Sequence, residues 1–324
     1  MWALTSLLLA GVAQAAIPNA MLRGMPPSLP KLPVSERFIT SPNGTALPNI
    51  TTIYYFDQLI DHDNPGLGTF KQRYWMNWEY YEPGGPIVFT TPGEVNAEGY
   101  VGYLTNDTIN GLIAQQQNGA VIIIEHRFFG YSNPYDNLTS QSLALLTIQQ
   151  AIDDLVYFAT TADLPMSGGD AVKPGQAPWI LIGGSYSGAL TSYTMVKYVD
   201  LIQQMDIHQH NYQRQCVNMF PEAFTYPPQP TTAETNRMYA GWDVDVPRLF
   251  FANGLRDPWR GATVSADGLN KLNTTSMPIY MCDGFHTSDM ITRIASIDPT
   301  IAVVQEAALR YMKEWLAEWK PSTQ

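Results

Sequence analysis

The sequence predicts an α/β fold, a mostly parallel sheet flanked by helices, on three observations. Residues 87–91 and 120–126 each begin with a continuous apolar run, the pattern of strands that are buried on both faces of a parallel sheet. Residues 141–161 carry apolar side chains on roughly one stripe and predict an amphipathic helix. A further apolar run, residues 179–185, ends in glycines and a serine, as a strand does where it turns sharply into a helix.

The remaining elements follow from local composition. Residues 51–60 and 69–81 are rich in β-branched and aromatic residues and predict the two strands of a hairpin. The last helix is predicted to begin with Asp298 as its cap and Pro299 at its first position. The Pro-rich residues 16–50 predict an irregular N-terminal arm.

Composition indicates a secreted protein. Residues 2–12 are apolar and uncharged and precede a small-x-small sequence, which predicts a signal peptide over residues 1–15. No other apolar stretch approaches the length of a membrane span. The 324 residues carry a net charge of −11, which argues against nucleic acid or an anionic membrane as a partner. Five N-x-S/T sequons predict glycosylation at Asn43, Asn49, Asn106, Asn137 and Asn273.

The chain has two cysteines, Cys216 and Cys282. In an oxidising compartment they are candidates for one intramolecular disulfide. The alternative is two free thiols, since sequence alone does not give the geometry that a disulfide needs.

The run Gly-Gly-Ser-Tyr-Ser-Gly at residues 183–188 is the most informative stretch for chemistry. Small residues around Ser185 let a strand and a helix approach closely, as a nucleophile elbow requires, although Ser187 replaces the second glycine of the usual Gly-x-Ser-x-Gly pattern. Ser185 lies nearer the end of the apolar run than Ser187, so we predict that it is the nucleophile. A serine hydroxyl also needs a base to take its proton and a third group to orient that base.

On sheets of this kind the order along the chain is Ser, then Asp or Glu, then His. Two further apolar runs are each followed by one such residue, Asp257 after the first and His286 after the second. His286 is the only histidine after Asp257, so the order leaves one choice of base. Asp283 and Asp289 lie nearer to His286 in sequence and are the alternative acids.

Several stretches resemble the prolyl-directed serine carboxypeptidase family, which includes lysosomal Pro-Xaa carboxypeptidase, dipeptidyl peptidase II and acid prolyl endopeptidases. The most specific are Glu-His-Arg at residues 125–127 and Asn-Gly-Leu-Arg-Asp-Pro-Trp at residues 253–259. The others are residues 56–62, 85–94, 183–188 and 284–286.

The resemblance implies an α/β-hydrolase fold and the catalytic triad Ser185, Asp257 and His286. It also implies cleavage of peptides after proline or a small residue at acidic pH. With the signal peptide, it predicts a secreted protein or one of an acidic, lysosome-like or vacuole-like compartment.

The chain departs from that family between the nucleophile and the acid. Family members carry a long helical domain there, whereas Ser185 and Asp257 are only 72 positions apart. We find no apolar run for the expected strand between them, and residues 198–220 show patchy helical spacing. We therefore expect a truncated helical cap and one missing core strand. The expected domains are a signal peptide (1–15), a Pro-rich arm (16–50), the first part of the hydrolase domain (51–198), a cap remnant (199–245) and its second part (246–324).

An oxyanion hole needs two backbone N–H groups aimed at the developing alkoxide. One should come from Tyr186, and the other from the loop with Gly93 and Glu94. The Glu-His-Arg sequence at residues 125–127 is interpreted as an ion pair that braces a loop, or as a neighbour of the pocket. His208 and His210 could ligate a metal, but no HExxH sequence and no Cys pair lies near them, so a solvated polar helix end is the preferred interpretation. No phosphate-binding loop is present, and we expect no metal and no cofactor.

Three functions stay open. The first is a serine peptidase of carboxypeptidase or dipeptidyl peptidase type that acts on proline-containing peptides through an acyl-enzyme. The second is a truncated, inactive relative, which a missing strand would favour because a misplacement of about 1 Å can cost a large factor in rate. The third is an esterase or lipase on the same fold. The sequence does not separate exo- from endopeptidase cleavage or give the oligomeric state.

Overall fold

The computed structural model describes residues 29–34, 38–198, 203–206, 222–223 and 231–322. One eight-stranded sheet runs through it, in the order β1-β2-β4-β3-β5-β6-β7-β8. The strands are β1 (Tyr54–Leu59), β2 (Thr69–Asn77), β3 (Ile87–Thr90), β4 (Ala120–Ile124), β5 (Trp179–Ile182), β6 (Gln203–Asp206), β7 (Leu249–Gly254) and β8 (Ile279–Cys282).

The sheet is parallel except at one end. β1 and β2 form the predicted antiparallel hairpin, and β2 is also antiparallel to β4. All pairings from β4 through β8 are parallel. The carboxyl ends of these strands therefore meet at one edge, where open α/β sheets place their functional groups.

The prediction of a missing core strand is wrong. Gln203–Asp206 lies between β5 and β7 and pairs in parallel with both, with Gln204 opposite Leu181 and Leu249. Strand pairing uses backbone N–H and C=O groups, so a polar segment can fill the gap and satisfy the backbone of both neighbours. The sequence predicts these four residues in the cap remnant, in a stretch with helical spacing, whereas in the structure they belong to the sheet. Most of residues 207–230 lie outside the described part of the chain.

The described α-helices cover both faces of the sheet. The final helix begins as predicted, since the Asp298 side chain accepts the Thr300 N–H and Pro299 occupies the first turn. The predicted helix over residues 141–161 is split into a short 3₁₀ helix and an α-helix. No described helix has the length and apolar character to cross a membrane. The α-helices are α1 (Ile109–Gln117), α2 (Ile148–Thr161), α3 (Tyr186–Lys197), α4 (Thr232–Tyr239) and α5 (Pro299–Glu318).

Alternate strand residues supply two apolar layers. Val88 and Ile180 point to the layer that contains α1 and α5. Phe89 and Leu181 point to the layer that contains α2 and α3. Successive side chains of a strand face opposite sides, so strands that are buried on both faces must be apolar at every position.

The described part of the N-terminal arm is irregular, as predicted, but it is docked on the core. Leu29, Leu32 and Ile39 are buried. The Pro30 carbonyl accepts a hydrogen bond from the Tyr103 hydroxyl at 3.1 Å. The predicted signal peptide lies outside the described residues.

Two buried ion pairs anchor the segment that follows β4. Arg73 donates to both carboxylate oxygens of Glu125, from Nε at 2.9 Å and from Nη2 at 2.7 Å. Arg127 donates to Asp154 from Nε at 2.7 Å, and both side chains are almost completely buried. His62 Nε2 lies 2.8 Å from the same Asp154 carboxylate. The interpretation of Glu125 and Arg127 as braces fits this geometry.

Arg127→Met is expected to lower the free energy of unfolding by about 3–5 kcal/mol, because Asp154 would stay buried with only the His62 imidazole as its partner. The matched control is Arg237→Met, since Arg237 and its partner Glu234 are 73% and 66% exposed. Exposed pairs contribute about 0–1 kcal/mol. Urea unfolding followed by circular dichroism measures both variants, and equal losses would contradict the prediction.

Candidate active site

β5 turns into α3 at Ser185, in a backbone conformation that few residues with a side chain adopt. Its φ is 60° and its ψ is −132°. A Cβ at Gly183 would lie 2.1 Å from the Ser187 carbonyl oxygen, so only glycine fits there. The strand and the helix approach each other as closely as the elbow prediction requires.

The two serines of the elbow have different surroundings. Ser187 is buried, and its hydroxyl donates to the Gly184 carbonyl at 2.7 Å and accepts from the Gly184 N–H at 3.2 Å. Ser185 is half-buried, and its side chain makes no capping hydrogen bond to α3. The Ser187 hydroxyl thus stabilises the turn through its hydrogen bonds with Gly184, whereas the Ser185 hydroxyl makes no capping bond.

Asp257 and His286 are brought together at the carboxyl ends of β7 and β8. His286 Nδ1 lies 2.8 Å from Asp257 Oδ2. The other carboxylate oxygen of Asp257 accepts the Trp259 N–H at 2.8 Å, which fixes the carboxylate in place. A carboxylate accepts, so His286 Nδ1 carries the proton and Nε2 has the free lone pair.

The alternative acids do not replace Asp257. Asp283 is half-exposed and forms an ion pair with Arg256. Asp289 is buried, and neither of its carboxyl oxygens has a hydrogen-bond partner among the described residues. Of the three acids, Asp257 is therefore the one that orients His286.

The loop that carries His286 touches the elbow. A Cβ at Gly184 would lie 3.0 Å from Thr287 Cγ2. His286 Nε2 is buried and has no hydrogen-bond partner within the described part of the chain, so the structure does not contain a Ser185–His286 hydrogen bond. Catalytic hydrogen bonds often tighten only when substrate is bound.

The loop after β3 packs directly on the elbow. Gly93 has a φ of 81°, and a Cβ there would lie 3.4 Å from Tyr186 Cδ1. The Gly93 N–H already donates to the Thr91 hydroxyl at 3.3 Å. Among the described residues, the Glu94 and Tyr186 N–H groups have no such bond, so they are the better pair of oxyanion donors.

Glu94 also brings a titratable side chain to this loop. The side chain reaches solvent, but the protein atoms around it remove enough water to raise the pKa of its carboxyl to about 7. The sequence singled out Glu94 for its backbone alone, because a pKa shift depends on neighbours that are distant in sequence.

Asp289, three residues after the candidate base His286, is a second carboxyl with a shifted pKa. Burial raises the pKa of Asp289 to about 6; the nearby Asp257 acts in the same direction and His286 in the opposite one. A buried carboxyl without hydrogen bonds is costly when it is ionised. The surroundings of Asp289 therefore favour its protonated form.

Cys282 is a free, buried thiol, which does not support the disulfide with Cys216. Its Sγ lies 3.7 Å from the Asn253 carbonyl oxygen. Burial raises the pKa of the thiol to about 12, so it stays protonated and unreactive. Cys216 lies outside the described residues, as do His208 and His210.

All five sequon asparagines are exposed: Asn43, Asn49, Asn106, Asn137 and Asn273. The Asn273 amide is already used, because its Nδ2 donates to the Ile279 carbonyl at 3.2 Å. Glycosylation stays a prediction at each position.

Residues 58–205 match the model of the family described as serine carboxypeptidase S28. Serine protease vicPa of Bipolaris victoriae is 49% identical over 140 residues, which cover 43% of this chain and 26% of that protein. Lysosomal Pro-X carboxypeptidase of Pongo abelii is 30% identical over 168 residues, which cover 49% and 32%. The chain thus matches only 26% and 32% of the length of these relatives.

A candidate dipeptidyl aminopeptidase IV of Bacteroides ovatus has a similar structure. The TM-score is 0.50 at 14% identity, with 81% of this chain and 36% of that chain covered. Together with the strand order, this likeness confirms the predicted α/β-hydrolase fold. The family match ends at residue 205, inside β6, which lies between the nucleophile and the acid, where the sequence predicts the departure from the family.

Ser185→Ala is expected to abolish covalent labelling by a fluorophosphonate, because Ser185 is the half-buried serine of the elbow and its side chain makes no capping hydrogen bond to α3. Ser187→Ala should keep most of the labelling, since it removes only a tie within the turn. Mass spectrometry of the labelled peptide identifies the adduct. Labelling that survives in Ser185→Ala and disappears in Ser187→Ala would reverse the assignment.

Asp289→Asn is expected to stabilise the protein at neutral pH and not at pH 4. The folded-state pKa of about 6 exceeds the ordinary value near 3.8, so the folded state binds this proton more tightly. Stability from this group is present below pH 4 and is lost as the pH rises through 6, by about 2–3 kcal/mol in all.

Thermal unfolding from pH 4 to 7.5 measures the difference between the variant and the wild type. Asp283→Asn is the control, because the Arg256 partner lowers the pKa of Asp283 and no gain at neutral pH is expected. A difference for Asp289→Asn that does not change with pH would contradict the burial argument.

Proposed function

We propose that the chain is a serine peptidase that works through an acyl-enzyme, in keeping with the match of residues 58–205 to the serine carboxypeptidase S28 family model. The observation that carries the proposal is the meeting of two parts at one sheet edge. One is a serine on a strained elbow; the other is a histidine held by a buried carboxylate, 2.8 Å away, on the adjoining loop. These are the parts that nucleophilic acyl transfer needs.

In the first half of the reaction, the Ser185 hydroxyl oxygen attacks the carbonyl carbon of the peptide bond. His286 Nε2 takes the hydroxyl proton, and Asp257 stabilises the imidazolium through Nδ1–H. The carbonyl oxygen becomes an alkoxide, which the Tyr186 and Glu94 N–H groups stabilise. The C–N bond then breaks, and His286 returns the proton to the departing amine.

In the second half, water replaces the amine. His286 takes a proton from the water as its oxygen attacks the acyl carbon, and gives the proton to Ser185 as the ester bond breaks. The products are the amine, a carboxylic acid and the regenerated serine. The chemistry of these steps uses side chains and backbone groups of this chain.

The finer specificity rests on the resemblance of the motifs. We propose proline-containing peptides as substrates, with cleavage after proline or a small residue, in carboxypeptidase or dipeptidyl peptidase mode. An acidic compartment, inside the cell or outside it, suits the site electrostatically. At pH 5 the Glu94 carboxyl, with a pKa of about 7, is largely protonated and adds no negative charge beside the oxyanion.

The alternative of an inactive relative loses one of its two grounds. The sheet between Ser185 and Asp257 is continuous, because β6 pairs with β5 and β7. The short region between the nucleophile and the acid still favours an inactive relative. So does the missing hydrogen bond between Ser185 and His286, since His286 Nε2 has no partner among the described residues. An esterase would use the same triad, so substrate choice separates it from a peptidase.

The test compares a Gly-Pro amide reporter with a simple ester at pH 5. A peptidase should hydrolyse the amide, and Asp257→Asn should lower kcat by about 10⁴, because His286 loses its productive tautomer. Asp283→Asn is the matched control and should keep near-normal turnover, since its carboxylate pairs with Arg256 on the surface.

The outcomes separate the three functions. Hydrolysis of the ester alone would identify an esterase. A folded chain that neither labels with fluorophosphonate nor turns over either substrate would identify an inactive relative.

A further inference from the structure

His126 is the member of the Glu-His-Arg sequence that the ion pairs leave unexplained. It follows β4 and is 5% exposed. Its neighbours Glu125 and Arg127 are occupied by Arg73 and Asp154. The imidazole instead points to the nucleophile elbow, 60 positions further along the chain.

The contacts of the imidazole define which nitrogen carries its proton. His126 Nδ1 lies 2.8 Å from the Arg127 carbonyl oxygen, which can only accept, so Nδ1 is the donor. Nε2 lies 3.1 Å from the Tyr186 hydroxyl, which must then donate to it. Burial lowers the pKa of His126, in agreement with a neutral ring.

Tyr186 is in contact with both parts of the candidate oxyanion hole. Its own N–H is one donor, because it directly follows Ser185. Its ring packs against Gly93, where a Cβ would lie 3.4 Å from Tyr186 Cδ1, and Gly93 precedes the Glu94 donor. The Tyr186 ring is thus packed against the loop that carries the second candidate donor.

The support behind His126 is rigid. Arg127, whose carbonyl orients the imidazole, donates to Asp154 at 2.7 Å and to the Leu59 carbonyl at 3.1 Å. Phe129 packs edge-on against the imidazole, with ring centroids 5.4 Å apart. A buried framework thus holds His126, and His126 holds the phenol of Tyr186.

We propose that His126 is a positioning residue for the oxyanion hole: by accepting the Tyr186 hydroxyl proton in a hydrogen bond, it holds the Tyr186 N–H and the Gly93–Glu94 loop at the separation that an alkoxide requires. This inference rests on the proposed function, since it assigns a role within that reaction. A structural brace would change stability alone, whereas a positioning residue changes the rate of the chemical step.

The test uses Tyr186→Phe, which keeps the ring and the backbone donor and removes only the hydroxyl. Loss of a whole oxyanion donor costs about 10²–10³ in kcat, so a misplaced donor should cost about 10-fold. We expect kcat to fall by about that factor in Tyr186→Phe and in His126→Phe, with KM changed less than about 2-fold.

A double variant, a conservative variant at His126 and a control variant at Tyr198 test whether the effect comes from the bond between His126 and Tyr186. Both substitutions remove the same bond, so Tyr186→Phe with His126→Phe should be no slower than His126→Phe alone. His126→Gln keeps an acceptor and should recover part of the rate. The control is Tyr198→Phe at the far end of α3, whose hydroxyl donates to Asp153 at 2.8 Å; its kcat should not change.

Two readouts separate the failure of this inference from failure of the proposed function. Nitrogen NMR of labelled histidine should show the Nδ1–H form at His126 in the wild type, with a shift of Nε2 in Tyr186→Phe; another tautomer overturns the inference whatever the activity. If the wild type labels with fluorophosphonate and the variants label and turn over at the same rate, the positioning role alone is overturned. A wild type that does not react overturns both.

Discussion

The near contact between the backbones of β5 and α3 is the constraint on which the candidate site depends. At Gly183 no side chain fits, because a Cβ would lie 2.1 Å from the Ser187 carbonyl oxygen. The same closeness forces Ser185 into its strained conformation, which costs about 1–3 kcal/mol that the surrounding packing must offset. It also makes Tyr186 the first residue of α3, directly after Ser185.

Three carboxyl groups near this turn differ in how their charge is compensated. Asp257 is buried but is matched by His286 and by the Trp259 N–H. Asp289 is buried without such partners, and Glu94 is partly desolvated, so the pKa of each rises toward the range in which an acidic compartment keeps it protonated. Both carboxyls therefore gain negative charge as the pH rises through about 6 to 7.

The sheet explains how loops far apart in sequence reach one site. β6 is short and polar, yet it pairs with both β5 and β7 and keeps the sheet continuous between the strand before Ser185 and the strand before Asp257. Backbone hydrogen bonds make this strand pairing, and they do not depend on the type of side chain. The docked N-terminal arm adds a second support, since Leu29 lies within 3 Å of the place where a Cβ of Gly184 would be.

Most of the fold could be predicted from the sequence. The hairpin, β3, β4, β5, β7 and β8 are marked by apolar or aromatic runs, because buried strands must be apolar on both faces. Ser185, Asp257 and His286 were predicted from small residues at a turn and from their order. β6 was missed, since a strand held by its backbone leaves no hydrophobic signal.

The local requirements can be derived from the amino-acid sequence alone: glycine at the elbow, apolar strands, and residue types that can carry acyl-transfer chemistry. Which of these residues lie in contact depends on the folded chain. Tyr186 and His126 are 60 positions apart in the sequence, and Arg127 and Asp154 are 27 apart. A local sequence pattern therefore predicts neither contact. The displaced pKa values of Glu94 and Asp289 likewise come from atoms that only folding brings near. The physical reason is that propensity and periodicity act over a few neighbouring residues, whereas desolvation and hydrogen-bond geometry depend on distances in space.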